Sequence, residues 1–103
     1  MPKIKVQITL LRSDQGGRAQ ALPPTRFGCP VFFEGIPELS DHAYDCRLLI
    51  TEHGKPIAPG ETAEGIEALF LSPETVVPHM RPGVRFTLWE GKPIGSGQII
   101  SVE

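Results

Sequence analysis

No apolar run in this chain approaches the roughly 20 residues that a membrane-spanning helix needs, and no segment sustains the 3.6-residue apolar period of an amphipathic helix. The opening Met1-Pro2-Lys3-Ile4-Lys5 alternates charge with aliphatic residues and builds no signal-peptide core. Cysteine is scarce: Cys29 and Cys46 stand 17 positions apart with no C-x-x-C pair, and His42, His53 and His79 lack paired-ligand spacing, which excludes the usual structural zinc patterns. There is no G-x-x-x-x-G-K-[ST] phosphate loop, since Gly54-Lys55 and Gly91-Lys92 each run into Pro, so GTP binding by this chain is excluded. Gly95-Ser96-Gly97 has Ile94 where a nucleophile elbow needs its outer glycine. Internal repeats, low-complexity tracts and linkers are also missing. A cofactor-free, non-enzymatic, cytoplasmic protein is the expectation.

What is present is turn chemistry. The 103 residues hold 11 Gly and 11 Pro, more than helices tolerate and typical of short strands joined by turns. At this length one domain, 1–103, buries a core without staples. Lys3 to Leu11 alternates with period two, placing Ile4, Val6, Ile8 and Leu10 on one face of a strand. Ser13 to Gly17 breaks it, and Ala19 to Thr25 reads as an extended connection. Arg26 to Phe33 is the second strand, with Pro30 confining it to an edge or irregular position. Ala43 to Thr51 is the third, with Tyr44, Cys46, Leu48 and Ile50 on one face. Pro56 to Ala63 leads into a fourth strand, Gly65 to Leu71, and Glu61 to Leu69 is the one place where a helical turn could hide. Ser72 to Pro82 is a Pro-rich corner. Val84 to Trp89 and Gln98 to Val102 then flank Glu90-Gly91-Lys92-Pro93 and Gly95-Ser96-Gly97 as a closing hairpin. Six such strands predict an all-β, small antiparallel barrel.

Net charge is −2, spread unevenly: residues 1–33 carry +4 through Lys3, Lys5, Arg12, Arg18 and Arg26 against Asp14, and residues 34–103 carry −6. Such asymmetry can build a basic face, although a barrel makes distant segments neighbours. Glu38, Asp41 and Asp45 read as a solvated acidic loop. Cys29 and Cys46 read as small core residues, with a disulfide open if their strands pair. A Cys46 thiolate paired with His42 or His53 has no spacing in its favour.

Five motifs in register resemble the C-terminal β-barrel domain of elongation factor Tu: Asp14-Gln15-Gly16-Gly17-Arg18 its Glu-Gly-Gly-Arg turn, Arg26 to Phe33 its Arg-Pro-x-Phe-x-Phe strand, Ala58-Pro59-Gly60-Glu61 its Met-Pro-Gly-Asp turn, Leu71-Ser72-Pro73-Glu74 its Pro corner, and Arg85-Phe86 through Gly97 its final hairpin. The resemblance implies a six-stranded barrel that works by binding. In the family that domain packs against protein partners and helps hold the aminoacyl-tRNA backbone. By resemblance Gly16, Gly17 and Arg18, with Arg12 and Arg26, fall where tRNA is touched, and a cationic turn with exposed amides suits phosphate. The family continues His-Thr after that arginine, where this chain has Ala19-Gln20. Protein interaction is the first expectation, with Val76, Val77 and Met80 of the corner and Trp89 as its candidate contacts. Trp89 reads first as core or barrel-closing packing and the corner as loop stiffening, with partner contact the alternative for each. RNA binding in translation is the second.

Overall fold

The computed structural model describes residues 3–103; Met1 and Pro2, the first two residues of the stretch expected to lack a leader, lie outside it. Six strands form a closed antiparallel barrel: β1 (Ile4–Leu10), β2 (Arg26–Phe33), β3 (Tyr44–Leu49), β4 (Thr62–Phe70), β5 (Arg85–Trp89) and β6 (Pro93–Val102), in the order β1-β4-β3-β2-β5-β6 and back to β1. Every strand has a partner on both sides, although β2 meets β5 only over Val31 to Phe33. One short helix, α1 (Pro73–Val76), and a 3₁₀ turn at Val77–His79 occupy the Pro-rich corner. Among the described residues no helix is long and apolar enough to cross a membrane.

The period-two residues of β1 point inward, as do Cys29, Val31 and Phe33 of β2 and Tyr44, Cys46 and Leu48 of β3. Phe33 is the hub of an aromatic cluster, with ring centroids 6.2 Å from Tyr44, 5.7 Å from Phe70 and 5.9 Å from Phe86. Loop residues plug the two ends. Leu22, Ile50 and Ile57 are buried at one, where the backbones of Leu22 and Ile57 exchange hydrogen bonds of 2.8 and 3.0 Å. Leu39, Val76 and Met80 are buried at the other.

Three strands differ from the sequence reading: β3 stops at Leu49, where Ile50–His53 turns into a 3₁₀ helix that still buries Ile50, and β4 and β6 each carry a bulge. β4 begins at Thr62, ends at Phe70 and contains no helical turn. Val6 pairs with Ile66 while Ile8 pairs with Ala63, so β4 carries one extra residue at Glu64-Gly65, and Gly65 takes φ +75° there. Such a bulge returns the inward face after three residues instead of two, so the buried pair Ala63 and Ile66 mimics helical spacing. β6 likewise begins at Pro93, which puts Gly95-Ser96-Gly97 inside the strand and leaves the turn to Glu90-Gly91-Lys92. Leu88 pairs with Gly95 and Trp89 with Pro93; the extra residue, Ile94, points into the core.

Gly97 sits opposite Phe86 in the β5–β6 ladder, and a Cβ on Gly97 would collide with the far edge of the Phe86 ring. The glycine is therefore the floor on which a core aromatic lies. Gly97→Ala is expected to cost about 1–3 kcal/mol, the usual range for overpacking a filled core, read from urea unfolding. An unchanged midpoint would show that the ring does not rest there.

Candidate functional site

The basic turn is built from the end of β1 onward. Ser13–Gln15 forms one 3₁₀ turn, closed by Gly16 at φ 86°. The Gly16 amide donates to the Ser13 carbonyl at 3.3 Å and the Gly17 amide to the Arg12 carbonyl at 3.1 Å. Both amides are thus spent inside the turn, contrary to the expectation that they stand exposed for phosphate. Gly17 is itself buried, and a Cβ there would lie 2.5 Å from the Leu11 carbonyl oxygen. Its smallness serves close backbone packing.

The arginines are engaged locally as well. Arg12 donates from Nε and Nη2 to the two Asp14 carboxylate oxygens at 2.9 and 2.8 Å. Arg18 donates from Nη1 to both Glu90 oxygens at 2.9 and 2.7 Å, across 72 positions of chain. Its Nε reaches the Gln20 carbonyl at 3.2 Å, and its guanidinium lies 5.3 Å over the Phe27 ring. Phe27 packs against the core from the end of β2, so Arg18 and Glu90 form a brace across that end of the barrel. Lys92 donates to the Gly17 carbonyl at 3.4 Å. Arg26 begins β2, exposed, opposite Leu49. The basic N-terminal third is laid against acidic elements: Lys5 pairs with Glu67 and Gln7 donates to Glu64, while Arg18 meets Glu90. Folding intermixes the charge split that the linear sequence shows.

The corner residues need correcting. Val76 and Met80 are buried and Val77 packs partly against the core, because α1 and the following 3₁₀ turn drop their apolar side chains into the barrel end. Val76 and Met80 therefore plug the fold and offer no side-chain surface to a partner. Trp89 is different: β5 alternates Phe86 and Leu88 inward with Arg85, Thr87 and Trp89 outward. The indole stands half-buried on the outer wall and meets Phe32 edge-on, with centroids 5.4 Å apart and planes at 77°. Phe32 is 37 % exposed. It was missed as a surface residue, although the alternation that turns Phe33 inward already turns Phe32 outward.

Register extends this pair into a belt. Pro30 pairs with Asp45, whose carbonyl accepts from the Leu71 amide at 3.1 Å; Trp89 pairs with Pro93. Pro30 and Phe32 thus share the outward face of β2 beside Trp89 and Pro93, and Leu71, 51 % exposed, lies beyond the exposed Asp45 on the same wall. Exposed Glu34, Asp45 and Glu90 flank it, with Arg85 bonded through its carbonyl to the Glu34 amide. An open groove of about 720 Å³ lies beyond, between the 34–38 loop and residues 79–85.

Cys29 and Cys46 are direct cross-strand partners in the interior, both free thiols. The Cys46 thiol donates to the Cys29 sulfur, which holds the Cys29 pKa below its ordinary value; the same bond and burial push Cys46 well up. His42 stacks instead on Tyr44, with centroids 4.5 Å apart. Among the described residues no three His, Cys, Asp or Glu side chains gather at metal-binding distances.

The Arg18–Glu90 pair is partly solvated, its side chains 19 % and 47 % exposed, so its coupling is modest. A double-mutant cycle with Arg18→Ala and Glu90→Ala should return about 0.5–1 kcal/mol of coupling in urea unfolding, shrinking as salt rises. Additive single effects would mean that the brace carries no energy. Comparison with protein-family models finds none that matches the chain, and comparison with curated proteins finds no match either.

Proposed function

We propose that the chain is a non-catalytic binding module resembling the C-terminal barrel of elongation factor Tu, docking a protein partner on its outer wall in a cytoplasmic setting. The observation that carries this reading is the outward Phe32–Trp89 pair on a barrel whose interior is already filled by its own side chains. Aromatic anchors of this kind supply most of the energy of protein interfaces, since each buries a large rigid surface at low entropic cost. The chemistry of the partner follows from the rim. Exposed Glu34 and Asp45, which make no ion pair among the described residues, stand beside the aromatic pair and fit a segment that presents an apolar anchor next to lysines or arginines, whereas Glu90 is already held by Arg18. The same carboxylates repel a phosphate backbone, which favours protein over RNA at this face.

RNA contact through Arg12, Arg18 and Arg26 is the alternative that the resemblance brings, and it asks Arg12 and Arg18 to exchange carboxylates for phosphates. Exposed ion pairs are weak enough for such exchange, so the two readings are separated by experiment. Affinity capture is run with the wild-type chain, with Phe32→Ser/Trp89→Ser and with Arg18→Ala. The captured protein is then titrated by calorimetry, because the outer-wall double variant lacks Trp89, the single tryptophan, and has no indole emission to follow. Loss of about tenfold or more in affinity for the outer-wall double variant, equivalent to about 1.4 kcal/mol, with Arg18→Ala unaffected and both variants folded by circular dichroism, is the expected result. Undiminished binding by the double variant overturns the reading. So does saturable, salt-sensitive tRNA binding that Arg18→Ala abolishes.

A further inference from the structure

We infer that Cys29 and Cys46 form a thiol modification site, a cross-strand dithiol that a hydroperoxide oxidises reversibly to an intramolecular disulfide. Register is the first argument. The two residues face each other directly in the β2–β3 ladder and both point into the barrel. Opposed antiparallel residues have Cα atoms about 4.5 or 5.5 Å apart depending on the site type, and both spacings lie within the range of about 4.4–6.8 Å that a disulfide spans. Each thiol also shifts the other's ionisation, Cys29 downward and Cys46 upward, as close cross-strand partners do.

The second argument is access. β2 pairs with β5 only over Val31, Phe32 and Phe33, so Arg26 to Pro30 lie beyond the ladder and the wall beside Cys29 is a seam. The seam is closed by side chains, the Arg18–Glu90 brace over Phe27 and the outer Trp89, rather than by backbone bonds. Cys29 is 4 % exposed and Cys46 1 %, so a small oxidant meets Cys29 first. The third argument is polarity. The Cys46 thiol, and across the seam the Trp89 backbone amide, lower the Cys29 pKa against the opposing effect of its burial. Burial and, more weakly, Glu90 and Asp45 oppose ionisation of Cys29 without reversing its downward shift, whereas Cys46 is pushed well up despite Arg47. Cys29 is therefore the attacking sulfur and Cys46 the resolving one.

The chemistry balances without a further reactant. The Cys29 thiolate attacks one oxygen of hydrogen peroxide, the O–O bond breaks, and the departing hydroxide takes a proton to leave as water. Cys29 becomes a sulfenic acid. The Cys46 sulfur then attacks the Cys29 sulfur, the S–O bond breaks, and hydroxide leaves with the Cys46 proton as a second water. Two thiols have lost two electrons to one peroxide. The new bond would close the loop that contains the Pro37–Leu39 turn, one wall of the open groove.

The folded wild-type chain, treated with hydrogen peroxide, is read by intact mass and by thiol count in denaturant before and after dithiothreitol. The expected result is a monomer lighter by two hydrogens, with no free thiol, that regains both thiols on reduction. This measurement needs no variant. In Cys46→Ser, Cys29 should form a sulfenic acid that dimedone traps, about tenfold faster than Cys46 reacts in Cys29→Ser. Three outcomes overturn the inference: both thiols surviving peroxide that oxidises free glutathione, disulfide-linked dimers in place of the monomer, or oxygen addition to wild type without loss of two hydrogens.

Discussion

The seat of Phe86 over Gly97 is the constraint on which the barrel depends. β6 is the only strand that bonds both β1 and β5, so closure requires it to lie flush with each. On its inner face the ring of Phe86 needs the space that a side chain at 97 would take. Phe86 in turn touches Phe33, and Phe33 touches Tyr44 and Phe70, so one glycine sets the position of an aromatic cluster drawn from β2, β3, β4 and β5. The interior is filled by this cluster and by the aliphatic rows around it. Loop residues then have only the two ends to cover, and the buried Leu22 and Ile57 at one end and Val76 and Met80 at the other do so.

A filled interior confines recognition to the outer wall, and there charge is spent locally before it can build a field. Arg12 answers Asp14, and Arg18 answers Glu90. Isolated exposed pairs contribute little to stability, but they lower the basic potential that the first third of the sequence suggests. Arg18 does more than neutralise: with its guanidinium above Phe27 it shields an apolar ring at the barrel end, a use of arginine as cover as much as charge. The apolar belt through Phe32 and Trp89 has no such local answer on the wall.

Most strands were legible because period two survives wherever the ladder is regular. β2 matches its expected span residue for residue, and β1 and the inward face of β3 follow their alternation. Legibility failed where a bulge breaks the period. In β4 the extra residue at Gly65 gave Ala63 and Ile66 a helix-like spacing, and in β6 the extra residue at Ile94 hid a strand start behind glycines. The site was harder to read for a different reason. Whether Gly16-Gly17-Arg18 offers amides and a charge depends on Ser13, Arg12 and Glu90, and the last lies 72 residues away. Val76 and Met80 show the same limit: an apolar corner reads alike whether it faces a partner or its own core.

Pro30 draws these threads together. It supplies no N–H, and the β2–β5 ladder begins one residue later, at Val31. Beyond the end of that ladder the Trp89 indole rests on Phe32 across the outer surface. The Pro30 ring itself lies on that surface, opposite Asp45 and in line with Leu71. The seam would expose Phe27 were it not braced from outside, and the brace draws on Arg18 and Glu90, from two loops at the same end. A single imino acid in an otherwise regular strand thus ends the β2–β5 ladder beside Cys29, leaves that wall to side chains and sets Arg18 of the basic turn to holding it shut.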